Sequence, residues 1–239
     1  MKKAFILILF AAALLCLSAC AAPKMPAAVE VTAGAGETAA APSTDAAVDF
    51  SVREEVYTDT SHANSQISIA YPVFAAEGMQ EINADILDFV TGFAEAYYGE
   101  TFSDLQLELT YEIKRYDTEY LSIAFTGTGS VRTAAYPTSL FQTRTYDLQS
   151  GWAVKLSMLH PVDEAFAETL YAAVQESASS EIWEVFQTDY PNADALLSAL
   201  QSCDADRLSC QSYVTPQTVG VSIPVRHVGG DHIEVEIAL

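Results

Sequence analysis

Residues 107–126, LELTYEIKRYDTEYLSIAFT, predict a β-hairpin from which the rest of the fold can be built outward. Leu107, Leu109 and Ile113 alternate with polar side chains, and the same alternation returns after residues 116–119. A period of two places one face of each strand on a core and the other in water. Residues 116–119 therefore form the tight turn of an antiparallel pair.

Further strands are predicted on both sides of this hairpin. β-Branched and aromatic residues mark strands at residues 50–57, 66–74, 139–148 and 153–157, and two alternating runs, 219–225 and 233–239, close the chain. Because proline donates no ladder hydrogen bond, the second strand is expected to end at or just after Pro72.

Two main helices are predicted between the strands. Apolar residues at spacings of three and four indicate a helix over residues 79–97, ended by Gly99. Pro161 and Asp163 begin the second helix, and Asn192 is the N-cap of a further short one. Hairpins with few helices favour an α+β fold, in which antiparallel β-sheets are packed by two main helices. One domain, or two unequal subdomains divided near residues 130–140, both fit this order.

The first 49 residues predict export and anchoring. Two lysines precede an apolar run that is too short to span a bilayer and ends in LSAC, residues 17–20. This pattern resembles the lipobox of bacterial lipoproteins: residues 1–19 are the signal peptide and Cys20 carries the lipid. An ordinary secretory signal is the alternative. Residues 20–49, rich in Ala, Pro and Thr, form a flexible tether to a folded domain, residues 50–239. The expected location is the extracytoplasmic face of the cell membrane.

Charge narrows the classes of partner. The chain has 32 Asp and Glu against 11 Lys and Arg, a formal net charge of −21. Such a field repels phosphate backbones, so nucleic acid is excluded as an expected partner. A cationic partner is favoured. The alternative is that the negative charge only keeps the exported protein soluble.

Cys203 and Cys210 are the cysteines of the folded part. Outside the cytoplasm, an exposed pair this close in sequence is expected to form a disulfide, worth roughly 2 to 3 kcal/mol in the chain-entropy model. A metal site is the rival interpretation, but no further Cys or His is near enough in sequence to complete four ligands.

Signatures of catalysis are sparse. His227, Asp231 and His232 surround a Gly-Gly turn and are weak candidates for a metal site, with a solvent-exposed turn as the alternative. His160 is a further histidine that could converge with them. No nucleophile elbow and no His-Glu-x-x-His helix is present in the sequence. We therefore expect no enzyme activity, no catalytic residues and no cofactor.

Several short motifs, in order, resemble a known exported domain. They are Ile69-Ala70-Tyr71-Pro72, Ile82-Asn83, Tyr136-Pro137, Tyr146-Asp147-Leu148 and Lys155-Leu156. The chain is similar to the domain of unknown function found in anti-sigma factors of the RsiV type, which sense lysozyme, and ahead of some peptidoglycan deacetylase domains. The resemblance covers residues 50–239 and implies an α+β module, often tethered to the membrane, without demonstrated catalysis.

The expected function is therefore a lipid-anchored, extracytoplasmic binding or sensing module. Its ligand is expected to be a cationic cell-wall-active protein such as lysozyme, or a peptidoglycan fragment. The alternatives are a hydrolase of cell-wall glycans or peptides and a structural or assembly lipoprotein.

Overall fold

The computed structural model describes residues 51–239, which lie in one compact unit. The strands are β1 Val52–Asp59, β2 Gln66–Phe74, β3 Leu105–Tyr116, β4 Tyr120–Val131, β5 Thr138–Asp147, β6 Gln211–Val214, β7 Thr218–Pro224 and β8 His232–Ala238. The helices are α1 Gln80–Thr91, α2 Phe93–Tyr98, α3 Leu156–Leu159, α4 Glu164–Ser177, α5 Ser180–Asp189 and α6 Ala193–Leu200. The predicted α+β class is confirmed.

The first sheet has the strand order β1-β2-β3-β4-β5 and contains the predicted hairpin as β3 and β4. The other neighbouring pairs are antiparallel, but β2 and β3 run parallel. The expectation of purely antiparallel sheets is thus wrong at this pair. The two helices between β2 and β3 form a crossover, which returns the chain in the same direction. β2 also continues through Pro72 as far as Phe74.

One predicted helix is two helices in the structure. α1 ends before Gly92, which has φ −85° and ψ 0°, and α2 begins directly after it. Glycine is a weak helix former, which accounts for the interruption there. Both helices cover the first sheet, and Ile86, Phe89 and Phe93 pack with the inward side chains of β2 to β5 in one hydrophobic core.

A second core lies between helices and the second sheet, whose strand order is β6-β7-β8. Side chains of Asp163, Ser179 and Asn192 accept a backbone N–H at the starts of α4, α5 and α6. The N-cap predicted at Asn192 is confirmed, and Asp163 caps the helix that it was predicted to begin. Besides the two main helices and the short helix predicted after Asn192, the structure has α3 and α5, and the first main helix is divided into α1 and α2.

Two short segments differ from the sequence prediction. Residues 153–157 were expected to form a strand, but only Ala153 makes a bridge, to Tyr146, and α3 begins at Leu156. β6 was not predicted, because four residues give too short a pattern to show a period.

β6 joins the two sheets. The Ser122 hydroxyl of β4 accepts the backbone N–H of Val214 at 3.1 Å and contacts the Thr145 hydroxyl at 2.8 Å. The rings of Phe141 and Tyr213 lie 5.8 Å apart beside these bonds. Buried polar and aromatic contacts therefore connect the hydrophobic cores, while the division into two subdomains stays a prediction.

Candidate functional site

The predicted histidine cluster is a structural turn. A 3-10 turn, His227–Gly229, precedes β8, and Nδ1 of His227 lies 2.9 Å from Oδ1 of Asp231. The other oxygen of Asp231 accepts the backbone N–H of Ser139 at 2.7 Å. Asp231 has φ +74°, a left-handed conformation that aspartate tolerates better than most residues. This carboxylate therefore fastens the turn to β5.

The histidines have separate partners. Nε2 of His232 lies 3.6 Å from Glu234, and the ring of His160 stacks on Phe166 at 4.5 Å. His62 lies beside Asp59. Within residues 51–239, no group of three or more His, Cys, Asp or Glu side chains could hold a metal ion. The structure thus pairs His227 with Asp231, while His160 and His232 contact other partners.

Cys203 and Cys210 are buried free thiols. The expected exposure is wrong, because both side chains belong to the second core. Burial and the nearby Asp204 raise the pKa of Cys203, and the same two causes raise the pKa of Cys210 to about 12. Protonated, buried thiols react slowly. Their pairing as a disulfide stays a prediction, and Cys20 lies outside the described residues.

The basic side chains show a clearer pattern than the histidines. Residues 51–239 contain eight Lys and Arg against 28 Asp and Glu. Six of the eight form ion pairs with a carboxylate: Arg53, Lys114, Arg115, Arg132, Arg144 and Arg226. Within the described part of the chain, Lys155 and Arg207 have no ion pair.

Lys155 and Arg207 line the same pocket. The pocket has a volume of about 200 Å³ and lies between β5, residues 153–155 and the loop of residues 204–212. Arg144, on β5, also lines it. Three of the eight basic side chains therefore meet at one concave site of a strongly acidic domain.

Arg207 is held firmly. Its guanidinium lies 3.9 Å from the ring centroid of Phe89 and 4.8 Å from that of Phe93, and its Nη2 donates to the Phe89 carbonyl at 3.0 Å. Nη1 is buried and has no hydrogen-bond partner. Burial and the neighbouring Arg144 lower the pKa of Arg207 to about 10. The side chain thus still carries its positive charge at neutral pH.

Arg144 is only loosely neutralised. Its Nε lies 3.6 Å from Asp85, whose same oxygen accepts the Tyr146 hydroxyl at 2.6 Å. This Nε is buried and makes no hydrogen bond. The guanidinium also lies over Phe89, at 4.4 Å from the ring centroid. Two guanidinium groups therefore share one aromatic ring beside the pocket, an arrangement that cation–π attraction supports.

The carboxylates of the pocket are occupied within their own loop. Asp204 accepts the backbone N–H groups of Leu156 and Ser212, at 2.8 and 2.7 Å, and the Ser212 hydroxyl at 2.6 Å. Asp206 accepts the N–H groups of Leu208 and Ser209. Both carboxylates thus organise the loop that carries Arg207.

Acidic side chains dominate the helices of the second half. Residues 164–200 contain no Lys or Arg. Five exposed glutamates lie on α4 and α5: Glu164, Glu168, Glu176, Glu181 and Glu184. We call these five the acidic helix residues. They form no ion pair with a basic side chain of the described part, so their charges remain available to a partner.

Sequence reasoning missed the pocket. One signal was present: residues 148–162 contain no Asp or Glu, so Lys155 is isolated from carboxylates along the chain. Arg207 gave no such signal, because Asp206 is its neighbour in sequence. Only the fold shows that Asp206 is turned toward its own loop.

Comparison with known proteins gives structural neighbours. The sequence matches no protein-family model and no curated protein sequence. Similar solved structures include a DUF3298 family protein from Pseudomonas aeruginosa PAO1, with 10% identity, a TM-score of 0.46, and coverage of 80% of this chain and 92% of that chain. A DUF3298 family member from Bacteroides fragilis has 13% identity, a TM-score of 0.41, and coverage of 80% and 90%. Both are proteins with a domain of unknown function, and at this level of similarity we assign neither family nor function from them. No helix within residues 51–239 is long and apolar enough to cross a membrane.

Proposed function

We propose that this protein is a lipid-anchored, extracytoplasmic binding or sensing module without catalysis, and that its partner is a cationic cell-wall-active protein such as lysozyme. The anchor and the location rest on the lipobox-like sequence that ends at Cys20. The choice of partner rests on charge, together with the resemblance to lysozyme-sensing proteins.

The observation that carries the proposal is the exposure of the acidic helix residues on α4 and α5. Their five carboxylates lie on helices without a single basic side chain, and all five are exposed. A cationic protein approaching this surface gains long-range attraction, which raises the association rate at low salt. No phosphate backbone or anionic lipid surface would gain the same attraction.

The experiment is a binding titration of a fragment, residues 46–239, which contains the compact unit of residues 51–239. Lysozyme is titrated by isothermal calorimetry at low and at physiological salt. We expect saturable binding that weakens as salt is added, because screening shortens the reach of surface charges. Absence of binding at every salt concentration would contradict the lysozyme assignment.

Two matched variants locate the contact. In the first, the five acidic helix residues are changed to glutamine. In the second, five exposed glutamates associated with the first sheet and its helices are changed instead: Glu54, Glu77, Glu81, Glu95 and Glu108. Both variants alter the net charge equally, so only the position of the charges differs. We expect the first to lose most of the binding and the second to keep most of it. Equal losses would show that net charge alone attracts lysozyme.

A further inference from the structure

We propose that the pocket between β5, residues 153–155 and the loop of residues 204–212 binds a small oxyanion, a carboxylate or phosphate group, through Lys155, Arg207 and Arg144. This site is distinct from the acidic helix residues and does not depend on the proposed lysozyme contact.

The distribution of ion pairs points to this pocket. Six of the eight basic side chains in residues 51–239 form ion pairs with carboxylates. The other two form none, although these residues include 28 carboxylates. The two that have none, Lys155 and Arg207, line one pocket. In a domain with so many carboxylates, a pair of unneutralised cations at a single concavity is an arrangement that favours an external anion.

The two guanidinium groups of the pocket also have unsatisfied hydrogen-bonding capacity. Nη1 of Arg207 and Nε of Arg144 are buried donors without a hydrogen-bond partner in the protein. An unpaired buried donor on a charged group costs free energy, and a nearby oxyanion would offset that cost electrostatically. The two guanidiniums are positioned before any ligand arrives, since both lie over the Phe89 ring.

The loop that carries Arg207 is held in place by hydrogen bonds. Its backbone is fixed by Asp204 and Asp206, and Nε2 of Gln142 donates to the Arg207 carbonyl at 2.8 Å. A preorganised site loses less conformational entropy on binding. The pocket is therefore built in advance, with carboxylates that bond to the loop backbone and with two cations, Lys155 and Arg207, that have no ion pair.

The volume of the pocket and the negative electrostatic field of the domain limit the class of ligand. A volume of about 200 Å³ is below the roughly 300–1,000 Å³ typical of sites for drug-sized ligands. The acidic surroundings repel polyanions. A single carboxylate or phosphate group fits both conditions, either as a free solute or as the end of a longer uncharged molecule.

The experiment measures thermal stability and calorimetric binding of residues 46–239 with three probes at equal ionic strength. The probes are inorganic phosphate, acetyl-Ala-Ala with a free carboxylate, and acetyl-Ala-Ala amide. A bound anion at about ten times its dissociation constant should raise Tm by about 3 °C, while the amide should have no effect. The better of the two anions identifies the source of the ligand.

Lys155→Gln tests the site with little risk to folding, because this side chain is exposed. Arg207→Gln tests the buried cation, and its binding is read by calorimetry below its own Tm. Each substitution should lower the affinity for the anion about tenfold. Arg132→Gln removes one positive charge from an exposed ion pair with Asp104, outside the pocket, and should leave binding unchanged. No Tm shift with either anion, or equal affinity in all three variants, would overturn the proposal.

Discussion

Asp117 and Asp204 each hold a turn together with three or more hydrogen bonds, yet their pKa values move in opposite directions. Asp117 lies in the hairpin turn between β3 and β4. Its carboxylate accepts hydrogen bonds from the Arg115 guanidinium and from the backbone N–H groups of Glu119 and Tyr120. Asp204 lies in the loop before β6 and accepts two N–H groups and a hydroxyl.

Burial explains the difference. Burial raises the pKa of both carboxyls, but at Asp117 the guanidinium of Arg115 and the turn N–H groups outweigh it, so the pKa is lowered. At Asp204 burial is deeper and no cation pairs with the carboxylate, so the pKa is raised despite its hydrogen bonds. The folded state thus favours the charged form of Asp117 in the hairpin turn and disfavours the charged form of Asp204 in its buried loop.

The largest expected effect comes from Asp204→Ala. Two backbone N–H groups and the Ser212 hydroxyl would lose their acceptor in a buried loop, where each unsatisfied donor costs about 1–3 kcal/mol. We expect the free energy of unfolding to fall by about 3 kcal/mol, measured by urea denaturation. A loss below that of the exposed control, Asp206→Ala, would show that the loop is held by packing instead.

Oxidation of Cys203 and Cys210 is expected to have the next largest effect. A bond between them would restrain the Asp204 loop and leave the hairpin turn untouched. The chain-entropy model gives a gain of about 2.5 kcal/mol for so short a loop. The bond is checked by mass spectrometry of a non-reduced digest, and stability by urea unfolding with and without reductant. A reductant effect that persists in the Cys203→Ala, Cys210→Ala variant would have another origin.

Asp117→Ala is expected to cost about 1 kcal/mol, a value typical of losing a capping carboxylate at an exposed turn. The small value reflects access of water to the freed N–H groups. Urea denaturation measures this change in the free energy of unfolding. A cost equal to that of Asp204→Ala would remove the contrast between the two turns.

The smallest effect is a difference in pH dependence. The raised pKa of Asp204 means that its contribution to stability is present below about pH 4 and is lost as pH rises through the folded pKa. The lowered pKa of Asp117 has the opposite sign: its contribution is present above about pH 4 and is lost as pH falls. Relative to the matching Asn variants, wild-type stability should therefore fall with pH at Asp204 and rise at Asp117. Urea midpoints from pH 3 to 6 measure both slopes, and slopes of the same sign would contradict this account.

The sequence predicted the first turn well. Alternation along residues 107–126 predicted both strands of the hairpin, and Asp117 lies in the turn that was expected. Such local patterns need only neighbours along the chain. The N-cap at Asn192 was found for the same reason, since its side chain accepts the N–H of Ala195, three residues away.

The Asp204 loop could not be predicted in the same way. Asp204 bonds to Leu156, 48 residues earlier, and Arg207 bonds to the Phe89 carbonyl, 118 residues away. The parallel β2–β3 pair likewise joins segments far apart in the chain, with Gln66 opposite Gln106. The histidines near residue 230 looked like a cluster only because they are close in sequence.

The sequence by itself determined the α+β class, the hairpin, the helix caps and the acidic charge, because each depends on composition or on short-range periodicity. The export signal and Cys20 remain predictions of the same local kind. Only the tertiary structure decided which cations keep no counter-charge. The ion pairs of Arg132, Arg144 and Arg226 join residues far apart in the chain, and burial is likewise a property of groups brought together across the fold.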